Sequence, residues 1–85
     1  MPEILIYTKA TCPYCISAKE LLRKKGAAFT EVGVDDDYAG QRAMAVKAGG
    51  RSTVPQIFVG AKHVGGCDDL YALDRAGGLD GLLAG

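Results

Sequence analysis

The stretch that decides the fold is ILIYTKATCPYC, residues 4–15, in which an apolar, strand-forming run leads to two cysteines three positions apart. Pro13 suits the first position of a helix, because it has no N–H to leave unpaired and its φ is already near the helical value. Cys12 is therefore predicted to be the N-cap, where unpaired amides and the helix dipole favour the reactive thiolate. Lys9 adds a nearby cation. The pattern predicts an exposed attacking thiol at Cys12 and a covered resolving thiol at Cys15.

Outward from this stretch, strand and helix signals alternate. An amphipathic helix is predicted from Pro13 to Lys25, ending at Gly26, and a strand from Ala28 to Val34. Strand, helix and strand in so short a span indicate a right-handed βαβ unit with parallel strands. The later predicted elements are a helix begun by the acidic run 35–37 and ended at 49–50, a hairpin of strands 56–59 and 62–64, a helix from 67 to 74, and a short terminal turn at 79–83.

The acidic run Asp35-Asp36-Asp37 admits a metal-site interpretation, but no downstream carboxylates follow at calcium-loop spacing. It is better explained as the acidic start of a helix. The residues predicted to mark the face of that helix are Tyr38, Arg42, Ala45, Val46 and Gly49. Tyr38 and Ala45 are interpreted as packing residues.

The composition limits the class of protein. The chain has 85 residues, enough for a single domain at 1–85, with 48% hydrophobic residues and no net charge. No apolar run approaches the roughly 20 residues of a membrane span, and residues 1–3 lack the features of a secretory signal. Zero net charge disfavours general affinity for nucleic acid. We expect a cytoplasmic monomer with no membrane or nucleic-acid partner, and three sparse cysteines fit a reducing compartment.

Two more stretches suggest a ligand site. Thr53-Val54-Pro55 precedes a strand; its proline is by default an ordinary turn residue, but a cis Val54–Pro55 bond would present the Val54 backbone to an extended peptide. The glycine-rich turn at 65–69 runs into a helix, so its amides suit a carboxylate, while Asp68 suits an ammonium or acts as an ordinary N-cap. Together the two stretches favour a site for a small zwitterionic peptide.

The three motifs, at 12–15, 53–55 and 65–69, resemble those of glutaredoxins of the short bacterial dithiol kind, and the resemblance covers nearly the whole chain. Thioredoxins share the paired cysteines but are longer and usually carry tryptophan beside the first one, whereas this chain has no tryptophan. The resemblance implies an α/β, thioredoxin-like fold. Its mixed sheet would have four strands, built from βαβ, a helix, a ββ hairpin and a last helix, with helices on both faces.

The resemblance also implies an activity, that of a glutathione-dependent thiol–disulfide oxidoreductase in which Cys12 attacks and Cys15 resolves protein disulfides. Glutathione would be a co-substrate, with no permanently bound cofactor. Disulfide-containing or glutathionylated proteins would be the partners, ribonucleotide reductase being one family possibility. The implied glutathione-binding residues are Tyr14 flanking the ligand, Thr53, Val54 and a cis Pro55 beside its cysteine, Gly66, Cys67 and Asp68 at its γ-glutamyl end, and Lys9 with Arg42 at its glycine carboxylate.

Other classes remain open at this point. Cys12, Cys15, His63 and Cys67 form a conceivable zinc set, although a closed zinc site would occupy the nucleophile. A family-based variant is an iron–sulfur cluster bridged by Cys12 of two subunits and glutathione, which Pro13 and the second thiol disfavour. A binding module without turnover is the third class. The Cys67 thiol is interpreted as passive and buried, not as a third redox thiol.

Overall fold

The apolar run that opens the chain forms strand β1 at Ile4–Thr8 in the computed structural model, which describes residues 2–85. Side chains alternate between the two faces of a strand, so Ile4 and Ile6 point into one layer of the core while Tyr7 points into the other. All three side chains are buried. β1 therefore lies inside the sheet, with packed residues on both of its faces.

Within residues 2–85, seven more elements follow β1. They are α1 (Pro13–Lys24), β2 (Thr30–Gly33), α2 (Tyr38–Lys47), β3 (Gln56–Val59), β4 (Lys62–Gly65), α3 (Cys67–Arg75) and α4 (Gly78–Ala84). The predicted order of strands and helices is confirmed, although β2 is shorter than the predicted strand. The predicted terminal turn is instead a helix, α4, because Leu79 and Leu83 lie four positions apart and both reach the core.

The strands form one sheet in the order β2-β1-β3-β4. β1 pairs parallel with β2 and antiparallel with β3, and β3 pairs antiparallel with β4. Gly60, in the turn between β3 and β4, has a φ of 57°, a left-handed conformation that glycine adopts without steric cost. The predicted four-stranded mixed sheet, made of a βαβ unit and a β-hairpin, is confirmed.

Helices cover both faces of the sheet, as predicted. α1, α3 and α4 pack on the face that carries Ile4 and Ile6. α2 packs on the opposite face, where Met44 contacts the cluster that contains Tyr7 and Phe58. The carboxyl end of β1 thus emerges between two covered faces and leads into the loop before Cys12.

The packing face of α2 differs from the prediction. Tyr38 and Val46 are 77% and 82% exposed, and the buried residue of the helix is Met44. α2 contains several alanines, whose short side chains give a weak periodicity, so tertiary contacts decide which face turns inward. The prediction that Tyr38 packs in the interior is wrong; it borders a shallow surface groove together with Arg42 and Ala45.

Two lysines, one in α1 and one at its carboxyl cap, form ion pairs with neighbouring elements. Lys19 pairs with Glu31 of β2 at 3.0 Å, and Lys25 pairs with Asp74 of α3 at 2.7 Å. These ion pairs tie the middle and the carboxyl end of α1 to neighbouring elements. None of the helices in residues 2–85 is long and apolar enough to cross a membrane.

Candidate active site

Cys12 occupies the N-cap of α1, as predicted. Its backbone is extended, Pro13 is the first helical residue, and its Sγ accepts a hydrogen bond of 3.1 Å from the backbone N–H of Cys15. The loop before it is fixed from outside the helix, because the carboxylate of Asp35 accepts hydrogen bonds of 3.0 and 3.2 Å from the N–H of Ala10. The sulfur is therefore placed where the amides of the first helical turn point towards it.

The two thiols differ in environment, but Cys12 is less exposed than predicted. Cys12 is 9% exposed and Cys15 only 1%. The cap hydrogen bond turns the Cys12 sulfur inward, and it lies 3.8 Å from the carbonyl oxygen of Val54, which helps to cover it. The prediction of a freely exposed nucleophile is thus wrong, while the predicted order of exposure holds.

Burial, with a further contribution from the hydrogen bond to Cys12, raises the pKa of the Cys15 thiol to about 12. Cys15 therefore stays protonated at neutral pH in the reduced protein. A thiol in this condition is a poor first attacker. It suits a resolving role that begins only after Cys12 has formed a mixed disulfide.

The Thr53-Val54-Pro55 segment lies against the nucleophile. Its Val54–Pro55 peptide bond is cis, as the resemblance implies. The strand that follows, β3, also holds the segment in place. Its fully buried first residue, Gln56, donates from Nε2 to the carbonyl oxygen of Thr53 at 3.0 Å. The backbone of Val54 is consequently placed beside Cys12 by contacts on both sides.

The amino end of α3 forms the opposite wall. Its N-cap is Gly66, whose N–H donates to the carboxylate of Asp69 at 2.8 Å. Arg51 donates to the same oxygen at 2.9 Å. The hydrogen bond from Gly66 has the largest effect on Asp69 and that from Arg51 the next largest, and together they hold the pKa of Asp69 below its usual range. Asp69 therefore closes the helix end, which leaves the exposed carboxylate of Asp68 at the surface of the site. The N-cap alternative for Asp68 is wrong.

These two walls enclose a cleft of about 270 Å³. Its lining residues are Tyr14, Arg51, Thr53, Val54, Pro55, Gly66, Cys67, Asp68 and Asp69. Seven of the implied glutathione-binding residues thus come together in one place, and Cys12 adjoins them through its contact with Val54.

Lys9 and Arg42 do not line this cleft. Lys9 borders a separate cavity together with Cys15, and Arg42 borders the surface groove beside Tyr38. Their implied role at a glycine carboxylate therefore stays a prediction. The cleft contains instead a cation that sequence analysis missed, Arg51, which no helix or strand pattern distinguishes from a solvated surface residue.

The alternative zinc set is not assembled. The His63 Nε2 lies 2.7 Å from the Gln56 side-chain oxygen, and its ring stacks on Phe58 at a centroid distance of 4.8 Å. Across residues 2–85 no three His, Cys, Asp or Glu side chains are close enough to hold a metal ion. Cys67 is buried in the cleft wall, and burial, with the neighbouring Asp68, raises the pKa of its thiol, which supports a passive role.

A family model described as glutaredoxin matches residues 4–64 of the chain. The chain belongs to the glutaredoxin family. It is 58% identical to glutaredoxin 3 of Escherichia coli over 83 residues, which are 98% of this chain and 99% of that protein. It is 56% identical to a glutaredoxin of Pseudomonas aeruginosa over 84 residues, 99% of each chain.

Solved glutaredoxin structures agree with the fold. The solution structure of a glutaredoxin from Brucella melitensis matches with a TM-score of 0.86 at 51% identity, covering 98% of this chain and 89% of that one. The crystal structure of a buckwheat glutaredoxin–glutathione complex matches with a TM-score of 0.87 at 32% identity, covering 98% and 77%. The predicted thioredoxin-like α/β fold is confirmed. Glutaredoxins are thiol–disulfide oxidoreductases, and Cys12 and Cys15 are the pair in this chain that suits that chemistry.

A second residue of this glutaredoxin that sequence analysis missed is Gln56. It is fully buried in β3, where its amide joins Thr53 to His63. The signal was present, because a glutamine opening the otherwise apolar strand QIFV is expected to be buried only if both ends of its amide are paired. Gln56 supports the Thr53-Val54-Pro55 segment through Thr53 and does not itself line the cleft.

Proposed function

We propose that this glutaredoxin uses glutathione to reduce protein disulfides and protein–glutathione mixed disulfides. The observation that carries the proposal is the position of the Cys12 sulfur, which accepts the cap hydrogen bond of α1 and lies 3.8 Å from the Val54 carbonyl at the edge of the cleft. A disulfide bound in the cleft would place one sulfur next to Cys12. The resolving thiol, Cys15, follows one helical turn later.

The cleft has the chemistry to bind a γ-glutamyl peptide. The exposed backbone of Val54 can pair with the cysteine residue of glutathione as an added strand. The first amides of α3, at Cys67 and Asp68, have no acceptor within the helix and suit the γ-glutamyl carboxylate. The Asp68 carboxylate suits the α-ammonium beside it. The aromatic ring of Tyr14, 64% exposed, flanks the same opening.

The glycine carboxylate of glutathione needs a cation, and the proposal assigns Lys9 and Arg42 to it. Both lie outside the cleft, so they would act only on the part of the ligand that extends beyond it. Arg51 lies inside the cleft but is already paired with Asp69. Its place next to the amino end of α3 supports a role in shaping the part of the cleft that binds the γ-glutamyl end of glutathione.

Two reactions follow from this arrangement. With a glutathionylated protein, the Cys12 thiolate takes the glutathione and the protein leaves as a thiolate that gains a proton; a second glutathione then releases Cys12 and leaves as glutathione disulfide. With a protein disulfide, Cys12 forms a mixed disulfide and Cys15 displaces the substrate, giving an oxidised Cys12–Cys15 pair. Two glutathione molecules then reduce that pair.

The partners we propose are therefore glutathione and proteins that carry disulfides or bound glutathione, for example ribonucleotide reductase. No permanently bound cofactor is needed for either reaction. We propose action in the cytoplasm, because three sparse cysteines fit a reducing compartment.

A coupled assay tests the proposal. Protein is mixed with glutathione, glutathione reductase, its nicotinamide cofactor and a small glutathione mixed disulfide, and the oxidation of the cofactor is followed. We expect turnover by the wild type and none by Cys12→Ser. Equal rates for the two proteins would overturn the proposal, and so would tight binding of glutathione without turnover.

A further inference from the structure

A cavity of about 390 Å³ lies behind the resolving thiol and shares no residue with the glutathione cleft. Cys15 lines it, together with Lys19, one helical turn further along α1, and Glu31 of β2. The remaining lining residues are Thr8, Lys9, Ala10, Ile16, Gly33 and Asp35. The proposed function uses Cys15 as the resolving thiol and Lys9 as a contact of glutathione, whereas it gives Lys19 and Glu31 no role.

The Lys19 ammonium is held by an ion pair in the cavity that Cys15 also lines. Lys19 Nζ lies 3.0 Å from Glu31 Oε2, and the same carboxylate oxygen accepts a hydrogen bond of 2.6 Å from the hydroxyl of Thr8. Thr8 is buried in β1, so Glu31 is held from the sheet and holds Lys19 in turn. The hydrogen bond from Thr8 has the largest effect on Glu31 and that from Lys19 the next largest, and together they keep the pKa of Glu31 below its usual range. The Lys19–Glu31 pair therefore stays charged at neutral pH.

Resting on the proposed dithiol function, we infer that Lys19 is a positioning charge for the resolving step, stabilising the Cys15 thiolate from the cavity side while the Cys15 proton leaves to water there. Cys15 must lose this proton before it attacks. Its thiolate then forms a bond to Cys12 Sγ, the Cys12–substrate S–S bond breaks, and the electron pair leaves on the substrate sulfur, which takes a proton from solvent.

The charges around Cys15 favour Lys19 over other residues as the group that stabilises its thiolate. Burial and Cys12 raise the pKa of Cys15, whereas the backbone of Lys9 and the charge of Lys19 lower it. Of the other titratable residues that line the cavity, Glu31 and Asp35 are acidic, and Lys9 lowers the pKa of Cys15 through its backbone. α3, which packs on α1, contributes the thiol of Cys67 and the hydroxyl of Tyr71, which donates to the Ser17 carbonyl. Lys19 is thus the cationic side chain that both lines the cavity and opposes the effect of burial.

Reaction with a neutral chromogenic disulfide, dithiodipyridine, separates the two thiols. Attack by Cys12 releases the first thiopyridone at a rate that depends on reagent concentration, and attack by Cys15 releases the second at a rate that does not. Cys15→Ser identifies the second phase by losing it. A neutral reagent keeps changes in protein charge from altering the first phase by steering.

In Lys19→Met we expect the second phase to slow about threefold for each unit by which the pKa of Cys15 rises, since a tenfold smaller thiolate fraction is partly offset by greater nucleophilicity. Its pH profile should move to higher pH, and the first phase should not change. Lys19→Arg should keep the second phase. Lys24→Met, on the exposed side of the same helix, is the matched control and should behave as the wild type.

An unchanged second phase in Lys19→Met, or a slowing of both phases alike, would overturn the inference. So would a failure of Lys19→Arg to retain the second phase while its first phase is intact. Failure of the proposed function looks different, because the wild type would then show no turnover with glutathione. Turnover of a glutathione mixed disulfide needs only Cys12, so it should persist in Lys19→Met and report that the site is folded.

Discussion

Arg51 Nη1 lies 2.9 Å from Asp69 Oδ2, and the same oxygen accepts the N–H of Gly66 at 2.8 Å. One carboxylate thus closes the amino end of α3 and anchors the cation at the edge of the cleft. Gly65 permits this arrangement, since a Cβ at that position would clash with the Asp69 carboxylate, and its φ of 118° favours glycine. The pair stabilises the helix end and shapes the cleft at the same time.

Asp69→Ala should lower the free energy of unfolding by about 1 kcal/mol, because it removes a charge-assisted hydrogen bond from a partly exposed helix end. Arg51→Met should cost less, since it leaves the bond between Asp69 and Gly66 in place. Urea unfolding at neutral pH measures both. Because Asp69→Ala removes both contacts, a loss for Arg51→Met as large as that for Asp69→Ala would show that the ion pair, and not the helix cap, is the main stabilising contact.

The same carboxylate predicts a pH dependence. The pKa of Asp69 is lowered in the folded protein, so its contribution is fully present above the unfolded-state value, about 3.9, and is lost as pH falls through the lower folded value. The stability difference between wild type and Asp69→Asn should therefore shrink as pH is lowered below about 4. Urea titrations at a series of acidic pH values test this. A difference that grows towards acid would contradict the assigned direction.

Gln56→Leu should weaken glutathione binding without touching the cleft. The substitution removes the hydrogen bond that fixes the Thr53 carbonyl, so we expect a higher KM for glutathione, a loss of about 1–2 kcal/mol in unfolding free energy, and unchanged attack of Cys12 on dithiodipyridine. His63→Ala is the matched control, because it removes the other hydrogen bond of the Gln56 amide, together with the stacking of His63 on Phe58, and leaves the bond to Thr53 in place. Equal rises of KM in both variants would argue against a specific role for the bond to Thr53.

Much of the site follows from the sequence because its features are local. A proline after Cys12 and the spacing to Cys15 specify an N-cap and a first turn, and the structure contains both. The glycine turn before α3 likewise fixes where the helix begins. Features of this kind depend on a few residues that are adjacent in sequence and little on the rest of the chain.

Features set by contacts between distant segments were not predictable. Arg51 and Asp69 are separated by 18 positions, and Asp35 reaches Ala10 across 25. The burial of Cys12 depends on Val54, 42 positions away. Each of these contacts forms only when the sheet brings the loops together, and no periodic pattern records it.

The second core layer provides a test of the corrected face of α2. Met44→Ala should lower the free energy of unfolding by about 2–5 kcal/mol, because Met44 is fully buried between α2 and the sheet. Val46→Ala, two positions away in the same helix and 82% exposed, should change it by less than about 0.5 kcal/mol. Thermal and urea unfolding of both variants check this. A larger effect of Val46→Ala would restore the face predicted from the sequence.

The division of labour between the two thiols gives the last prediction. Cys15→Ser should retain the reduction of glutathione mixed disulfides, because that reaction needs only the capped sulfur of Cys12 and a second glutathione. It should lose the dithiol reduction of protein disulfides, because no thiol remains to displace the substrate from Cys12. Both activities are measured in the coupled assay, with a small mixed disulfide and with a disulfide-bonded protein as substrates.

Cys67→Ser is the comparison for this test, since Cys67 is also buried near Cys12 and its thiol would resolve the mixed disulfide if Cys15 did not. We expect the dithiol reaction to survive in Cys67→Ser and to vanish in Cys15→Ser. The reverse pattern would make Cys67 the resolving thiol. Loss of both activities in Cys15→Ser, in protein whose circular dichroism matches the wild type, would mean that Cys15 is needed for the reactivity of Cys12 itself.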